Sequence, residues 1–338
     1  MLFCSPSYDL ARLGVAIRAA FQCPVVACTA SGQIGPTGYQ RGGIVGASLS
    51  SDELVVQPHL ISPLSQCRER ASALAARVRE RLACLPTGRR AFGFLPIDGL
   101  SGAEETLTSV LYQSTGNLPI FGGSAGDDLR FERTAVYWEG EFLSGAALFT
   151  IFETSRRFAT FKLAHFEPTE KKLVITAAEP ATRLVKEING VPAAEGYAET
   201  LGIAVERLDA SVFSKNPLML RLGSDHYVRS IQRVNPDHSL TMYCAIDEGL
   251  VLTVGEDRDP LTSLEQGLAR ATEGRGAPAL VIGCDCILRR LDLESRASDA
   301  SAGELLSRYN VIGFNTYGEQ FNGVHINQTL TGVALEES

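Results

Sequence analysis

The segment FGGSAGDD at 121–128 carries residue types that serve two different chemistries. Gly122–Gly126 satisfies the GxSxG pattern of a serine-hydrolase elbow, whose nucleophile lies on a sharp turn between a strand and a helix. The residues that follow have poor helical patterning and run into a strand, so hydrolysis through Ser124 is the weaker hypothesis. In the stronger one, the glycines let a ligand approach the backbone, while Ser124, Asp127 and Asp128 offer polar contacts. An Asx-capped turn between two strands explains the segment equally well.

A polar loop between two apolar strands occurs twice in the sequence. Residues 24–49 and 310–335 share a strand, a Thr- or Asn-rich turn, a glycine, an amide or acid, a loop and a second strand. Gly32 matches Gly318, and Gln33 matches Glu319. Polar loops held by a rigid scaffold commonly carry ligand contacts. The pattern therefore predicts two related halves that each present one such loop.

Three of the histidines have settings that matter for metal or haem binding. His165 and His226 lie at strand-like positions beside aromatic residues. That is the setting of a haem ligand, although a core or surface histidine is the commoner explanation. His325 lies among polar residues that could face a ligand.

The eight cysteines indicate reduced, mostly buried thiols, because several lie within apolar runs of a long chain. Cys284 and Cys286 share one face of a strand, but zinc needs about four nitrogen or sulfur ligands, and the sequence has no second pair. We therefore expect no structural metal. Neither a P-loop pattern nor a strand-linked GxGxxG occurs, so nucleotide binding has no support.

Composition excludes several classes of protein. The 338 residues are 45% apolar and 21% charged, with a formal charge of −8 and a mean hydropathy of +0.04, values typical of a folded globular chain. Residues 1–170 carry 15 basic and 16 acidic side chains, and residues 171–338 carry 16 and 23. Such a balance disfavours binding to nucleic acid. The sequence shows no apolar run of about 20 residues and no secretion signal, so we expect a cytoplasmic protein.

Helices and strands are mixed in both halves of the chain. Helical spacing predicts helices at Arg12–Phe21 and Gln66–Leu85, the second with a solvated arginine-rich face, and apolar runs such as Val25–Cys28 and Ala279–Ile287 predict strands. Several strands form hairpin-like pairs, which favours an α+β fold with antiparallel or mixed sheets flanked by helices. A change of composition places a domain boundary near residue 180.

Four segments together resemble the motifs of the FIST domain in its paired FIST-N and FIST-C form. They are ACTASGQI with GGIVGASL, then FGGSAGDD, ALVIGCDCILRRL and GFNTYGEQFNGVHINQTLTG. The resemblance implies a FIST-N domain at 1–180 and a FIST-C domain at 181–338, as two related mixed α/β halves. Two features depart from the family: Gln33 stands where many relatives have glutamate, and the chain begins at what looks like the first core strand of FIST-N, without segments that precede it in longer relatives.

The resemblance implies a non-enzymatic sensory protein that binds a small ligand, such as an amino acid, and relays its occupancy to a signal-transduction partner. AHFEPTEKKLVIT and CDCILRRL are similar to a subgroup of NosP-type haemoproteins, which implies a second hypothesis: haem b binding, nitric-oxide sensing and a histidine-kinase partner. His165 is then the candidate haem ligand. Hydrolysis through Ser124 is a third hypothesis, and a ligand-free scaffold whose acidic C-terminal half meets a basic partner is a fourth.

On the first of these hypotheses the ligand lies between the polar loops at 29–38 and 315–327, and those loops differ in order between free and bound forms. The sequence leaves the ligand, the partner and homo-oligomerisation open. The residues expected to approach the ligand are Thr29, Ser31, Gly32, Ser124, Asp127, Thr316, Tyr317, Glu319, His325 and Asn327.

Overall fold

The computed structural model describes residues 1–273 and 278–336, which form two compact units. Unit 1 comprises Met1–Leu163, Leu264–His325 and Leu330–Ser338, and unit 2 comprises Ala164–Ser263 and Ile326–Thr329. The units are interleaved along the chain, whereas the expected division at residue 180 cuts it once. Residues 337–338, the end of the expected second domain, lie outside the described residues. Helices flank mixed and antiparallel sheets, so the predicted α+β class is confirmed.

The described residues contain eight α-helices, three short 3₁₀ helices and 25 strands. The α-helices are α1 Leu10–Ala20, α2 Cys67–Ala83, α3 Glu104–Ser114, α4 Ala193–Leu201, α5 Ala210–Lys215, α6 Pro260–Ala271, α7 Ile287–Ser295 and α8 Asp299–Arg308. The strands in the first half are β1 Leu2–Cys4, β2 Ala27–Thr29, β3 Gln33–Gly35, β4 Gly38–Gln40, β5 Ile44–Gly46, β6 Leu54–Ile61, β7 Arg90–Ile97, β8 Ile120–Ser124, β9 Val136–Trp138, β10 Glu141–Leu143, β11 Ala147–Thr154, β12 Phe158–Leu163 and β13 Phe166–Glu179. The remaining strands are β14 Leu184–Ile188, β15 Val191–Pro192, β16 Leu218–Leu222, β17 Asp225–Arg229, β18 Ile231–Val234, β19 Leu240–Met242, β20 Val251–Asp257, β21 Leu280–Cys286, β22 Val311–Thr316, β23 Glu319–Phe321, β24 Val324–Ile326 and β25 Leu330–Leu335.

Unit 1 is built from one motif that occurs three times. In each copy a strand is followed by helix and then by a parallel strand, a short hairpin and a third strand antiparallel to the first. The first repeat runs from β1 to β5, the second from β7 to β11 and the third from β21 to β25. Residues 24–49 and 310–335, which the sequence pairs, belong to the first and third repeats. The second repeat is a further copy that the sequence comparison does not reveal.

The hairpin of each repeat pairs with the second strand of a neighbouring repeat. The first repeat's hairpin strand β3 pairs with β22, the second repeat's β9 pairs with β2, and the third repeat's β23 pairs with β8. The three exchanges form a closed cycle. The resulting sheets have the orders β10-β9-β2-β1-β5, β24-β23-β8-β7-β11-β6 and β4-β3-β22-β21-β25-β12.

The core of unit 1 is aromatic and draws on all three sheets. The Phe3 ring stacks on Phe314 with centroids 4.7 Å apart, and Phe94 stacks on Phe121 at 5.0 Å. All four side chains are fully buried. Packed rings of this size contribute to stability through buried apolar area and ring geometry. Because the rings come from different repeats, the same core that stabilises each repeat also holds the repeats together.

The helices of unit 1 follow from ordinary sequence signals. Helix α1 begins after Asp9, whose carboxylate accepts hydrogen bonds from the backbone N–H of Ala11 and Arg12, as an N-cap residue does. Helix α2 buries one apolar face that includes Leu74 and Val78 and exposes its arginines. Both predicted helices are therefore present within two residues of their expected bounds. Among the described residues, none of the helices combines the length and the apolar character needed to cross a membrane.

Unit 2 contains one antiparallel sheet with the order β17-β16-β20-β13-β14-β19-β18. Its core includes Leu173, Ile188, Tyr197 and Phe213, so α4 and α5 pack against the sheet. The hydroxyl of Tyr197 donates to the carbonyl of Asn216 at 2.6 Å, which satisfies the one polar atom of an otherwise buried ring. Unit 2 has its own apolar core.

Candidate functional site

Three backbone hydrogen bonds lie at equivalent points of the three repeats, where each second strand ends. In each, an N–H of one repeat donates to a carbonyl just before the hairpin of its neighbour. Because the exchanges are cyclic, these bonds link the loops of all three repeats to one another. The three bonds join Thr29 N to Ala135 O (2.9 Å), Ser124 N to Gly318 O (2.8 Å) and Asn315 N to Gly32 O (2.8 Å).

The loops that these bonds join contain most of the predicted ligand residues. Nine of the ten lie in unit 1, and all ten are buried; Tyr317, at 6%, is the most exposed of those with a side chain. Asn327 instead belongs to unit 2, where its backbone N–H donates to Val228 O at 3.4 Å and its side-chain oxygen accepts from the backbone N–H of Ser230, also at 3.4 Å. The nine residues of unit 1 are Thr29, Ser31, Gly32, Ser124, Asp127, Thr316, Tyr317, Glu319 and His325.

Asp127 organises the loop that follows Ser124. Its carboxylate accepts backbone hydrogen bonds from Phe131 (3.0 Å), Glu132 (2.7 Å) and Arg133 (2.8 Å) and a further one from the hydroxyl of Tyr317. Four donors on one buried carboxylate fix both its position and the path of the chain around it. We call residues 127–133 the Asp127 loop.

The Asp127 loop has an uncommon backbone that contacts from the other two repeats hold in place. Asp128, Leu129 and Phe131 adopt positive φ angles of 58°, 63° and 55°. Such residues persist where the surroundings over-determine the conformation, and they concentrate at functional sites. Here the Tyr317 hydroxyl accepts from Leu129 N at 2.8 Å, the Ser31 hydroxyl accepts from Asp128 N at 3.1 Å, and the Phe131 ring stacks on Tyr317 at 4.8 Å. Ser31 belongs to the first repeat and Tyr317 to the third, so this loop of the second repeat touches both.

The pKa values of the two adjacent carboxylates of the loop are shifted in opposite directions. Burial tends to raise the pKa of Asp127, but the Tyr317 hydroxyl and the three backbone N–H groups outweigh it and lower the pKa below its usual value. Within residues 1–273 and 278–336 the Asp128 carboxylate accepts no such set of bonds, and partial burial raises its pKa despite the nearby charges of Arg130 and Arg41. Burial, with the neighbouring Asp127 carboxylate, also raises the pKa of Tyr317. At neutral pH, Asp127 is therefore a fixed anion that accepts from a neutral phenol.

A surface cleft of about 610 Å³ lies beside the Asp127 loop, within unit 1. Its wall combines apolar residues from α1 and β10 with charged residues of both signs from the loop and the hairpin. In the part of the chain that the structure describes, the side chains of Arg130, Glu132, Arg133 and Glu141 form no ion pair. These charges therefore remain available to a ligand in the cleft. Its lining consists of Pro6, Tyr8, Asp9, Leu10, Ala11, Val15, Asp127, Arg130, Glu132, Arg133, Gly140, Glu141 and Phe142.

Ser124 is placed as a structural residue and not as a nucleophile. It ends β8 with its N–H and carbonyl both in backbone hydrogen bonds, and no helix follows it. Its hydroxyl accepts from the amide Nε2 of Gln320 at 3.0 Å, and the same Nε2 lies 3.3 Å from Nδ1 of His325. An amide nitrogen cannot take the serine's proton as a general base must. The geometry gives no support to hydrolysis.

Two matched positions of the repeats, Gln33 and Glu319, are fully buried polar residues. Glu319 accepts a hydrogen bond from the hydroxyl of Thr316. Gln33 lies opposite Phe314 across the β3–β22 pair, so its side chain faces the aromatic core. Neither its amide nitrogen nor its amide oxygen has a hydrogen-bond partner among the described residues. A buried amide without hydrogen-bond partners lowers the free energy of unfolding. The stability of the fold therefore does not account for a glutamine at position 33.

Gly32 has a structural role in this arrangement. Its φ angle is 140°, and an added Cβ would collide with the guanidinium of Arg290 and the side-chain oxygen of Asn315. That guanidinium donates to Asn315 Oδ1 at 2.8 Å and to Gln40 O at 2.9 Å. Only glycine leaves room for this contact between the first and third repeats.

The sequence did not point to the buried ion pair beside Arg290. Asp285 of β21 accepts from Arg289 Nε at 2.8 Å and from the hydroxyl of Tyr39 at 2.6 Å. The Asp285 and Arg289 side chains are both 1% exposed. The four-residue spacing of Asp285 and Arg289, where β21 passes into α7, is the available signal. The sequence also missed Arg130, Glu132 and Arg133 of the cleft, although five of the seven residues in the Asp127 loop are charged.

His165, the candidate haem ligand, lies in unit 2 and is 2% exposed. Its ring packs on Phe166 with centroids 4.1 Å apart, and its Nε2 lies 3.8 Å from a carboxylate oxygen of Asp257. A haem ligand needs a ring nitrogen that faces a space wide enough for the macrocycle. The imidazole is instead buried, packed against a phenyl group and close to a carboxylate, so these residues do not fit haem.

Comparison with known proteins gives a family for nearly the whole chain. The model of the FIST N domain matches residues 1–191, and the model of the FIST C domain matches residues 193–322. An uncharacterized protein of Methanocaldococcus jannaschii is 23% identical over 303 aligned residues, which cover 79% of this chain and 58% of that protein. The chain therefore spans a little more than half the length of this relative. No solved structure matches the chain.

Proposed function

Because this chain belongs to the FIST family of sensory domains in signal transduction, we propose that it binds a small ligand without chemical turnover and passes its occupancy to a signalling partner. The partner class that the resemblance favours is a signalling protein such as a histidine kinase. The eight cysteines are all free thiols, which supports a reducing, cytoplasmic setting.

The ligand site we propose is the cleft beside the Asp127 loop. Its volume of about 610 Å³ lies in the range of small-molecule sites, about 300–1,000 Å³. Arg130 and Arg133 suit a carboxylate, Glu132 and Glu141 suit an ammonium group, and Phe142 offers apolar contact. This combination favours a zwitterion such as an amino acid, the ligand class that the family resemblance implies.

The single observation that carries this proposal is the set of contacts that hold the Asp127 loop. The loop lines the cleft, yet its strained backbone is fixed by Ser31 and Tyr317 from the other two repeats. A ligand that prefers one arrangement of the loop therefore also acts on the polar residues that join the three repeats. The predicted residues Thr29, Ser31, Ser124, Thr316 and Tyr317 belong to this relay, whereas direct ligand contact falls to the exposed members of the loop.

Thermal unfolding with each of the twenty amino acids tests the proposal. A ligand at one hundred times its dissociation constant adds about 2.7 kcal/mol to stability, which is a measurable rise in Tm. We expect Arg133→Ala to abolish the rise. Arg79→Ala, on the exposed face of α2, is the matched control and should leave it unchanged. The cleft is not the site if no amino acid raises Tm, or if the amino acid raises the Tm of Arg133→Ala and of Arg79→Ala by the same amount.

A further inference from the structure

The charges that line the cleft beside the Asp127 loop are spread along one β-hairpin. Glu141 of β10 lies opposite Trp138 of β9, next to the turn of this hairpin. The hydroxyl of Ser144 donates to Thr134 O at 2.6 Å, so the chain before β9 stays beside the chain after β10. At about 3.3 Å per residue, the path from Thr134 to Trp138 covers about 13 Å. Glu141 is therefore about 13 Å along the hairpin from the end of the Asp127 loop.

The loop end of this span carries two cations. Arg133 immediately precedes Thr134, and Arg130 lies on the same loop. Both line the cleft, as Glu141 does, and all three are exposed and form no ion pair among the described residues. The two charged groups of an α-amino acid are attached to one carbon atom, so a free amino acid that binds the arginines and Glu132 leaves Glu141 unused. The full set of charges fits a ligand whose anionic and cationic ends are well separated.

Apolar side chains line the same cleft. Phe142 follows Glu141 toward the loop end of the hairpin, and it packs with Leu10 of α1 in one apolar cluster. Val15 and Tyr8, on the facing wall, are 68% and 42% exposed. Apolar side chains that stay exposed in a cleft contribute to affinity when a ligand covers them. The lining therefore favours a ligand with apolar groups between its charged ends.

We propose that the preferred ligand of this cleft is a short apolar peptide with free ends, whose C-terminal carboxylate pairs with Arg130 and Arg133 and whose N-terminal ammonium pairs with Glu141. An extended chain covers about 3.3–3.6 Å per residue, so a tripeptide spans about 10 Å. The long arginine and glutamate side chains cover the remaining distance. This inference rests on the proposed function, because it names the ligand class of the same cleft.

Isothermal titration calorimetry of the full chain with the tripeptide Ala-Leu-Ala and with free leucine tests this inference. We expect the tripeptide to bind about tenfold more tightly than leucine, because it reaches both charged ends and covers more apolar surface. Glu141→Gln should weaken the tripeptide about fivefold, the upper range for an exposed ion pair. Glu80→Gln, on the exposed face of α2, is the matched control and should bind as wild type does. Circular dichroism checks that each variant is folded.

The N-acetylated tripeptide shows whether Glu141 meets the ammonium group. Acetylation removes that charge, so wild type and Glu141→Gln should bind the acetylated peptide equally, and wild type should bind it about fivefold more weakly than the free peptide. The inference is overturned if Glu141→Gln binds the free tripeptide as well as wild type does, or weakens both peptides by the same factor.

The comparison with leucine separates this inference from the proposed function. If leucine binds as tightly as the tripeptide, the cleft takes free amino acids, so the proposed function stands and this inference is overturned. If neither leucine nor the tripeptide binds up to about 1 mM, both are overturned. Binding of both, with the tripeptide favoured and sensitive to Glu141→Gln, supports both.

Discussion

Replacement of Asp127 by asparagine tests how the Asp127 loop is held. The carboxylate accepts from Phe131 N and Tyr317 Oη on one oxygen and from Glu132 N and Arg133 N on the other. In Asp127→Asn, the amide oxygen retains two of these donors, and the amide group then faces the N–H of Phe131 without an acceptor. The bonds from Phe131 N and the Tyr317 hydroxyl are lost and the other two weaken, so we expect a loss of about 3–6 kcal/mol in the free energy of unfolding.

The neighbouring Asp128 offers a matched control. The same change there removes a carboxylate that accepts no backbone N–H among the described residues and whose pKa burial raises, so Asp128→Asn should alter stability by less than about 0.5 kcal/mol or increase it slightly. Urea unfolding followed by the fluorescence of Trp138, the one tryptophan of the chain, reports on unit 1, where it lies in β9. Equal losses in the two variants would refute the argument that Asp127 anchors the loop.

Asp127 and Asp128 contribute to the pH dependence of folding stability with opposite signs. Folding lowers the pKa of Asp127 below its unfolded value of about 3.9, so its stabilisation is complete well above pH 3.9 and is lost as pH falls through the folded pKa. Folding raises the pKa of Asp128, so its ionised form costs stability as pH rises through that value. The deficit of Asp127→Asn should therefore shrink between pH 6 and pH 3. A deficit that stays constant over this range would show that the carboxylate charge is not its cause.

Two further substitutions test the structural roles of matched glycine and amide positions. Gln33→Met replaces a buried amide that lacks hydrogen-bond partners among the described residues by an apolar side chain of similar size. It should raise the free energy of unfolding, measured by urea titration, by about 1–3 kcal/mol. A loss of stability would mean that the amide is hydrogen-bonded in solution. Gly32→Ala should lower Tm far more than Gly42→Ala, since both have positive φ angles but only Gly32 has neighbours within reach of a Cβ; equal effects would exclude the contact with Arg290 as the reason for glycine.

The sequence predicts the local elements better than their assembly. Helix α2 shows strong helical spacing, and its predicted bounds differ from the observed ones by two residues or fewer. The first and third repeats resemble one another because only three and two residues separate the second strand from the hairpin. In the second repeat that connection has eleven residues and holds the Asp127 loop. The longer connection thus obscures the repeat in which it lies.

The exchange of hairpins between repeats is a long-range property that no window of sequence contains. Gln33 of β3 pairs with Phe314 of β22, almost the whole chain away, and only the closed cycle of three exchanges fixes that register. The same separation explains why the candidate site was predicted in part. Polar residue types identified Ser31, Asp127 and Tyr317 as site residues. They did not show that Ser31 and Tyr317 hold the Asp127 loop in place.

The strength of these contacts matches the requirements of a ligand-operated switch. Four hydrogen bonds join the Asp127 loop to Ser31 and Tyr317 of the other repeats, and at about 0.5–1.5 kcal/mol each they contribute roughly 2–6 kcal/mol. To move a two-state conformational equilibrium from 1:99 to 99:1, a ligand must bind one state more tightly than the other by about 5.5 kcal/mol. A micromolar ligand, with about 8.2 kcal/mol of binding free energy, has enough to release these bonds and still remain bound. Such a ligand could not release a loop with several times as many hydrogen bonds to the other repeats. A loop without these bonds could not transmit ligand binding to the other two repeats.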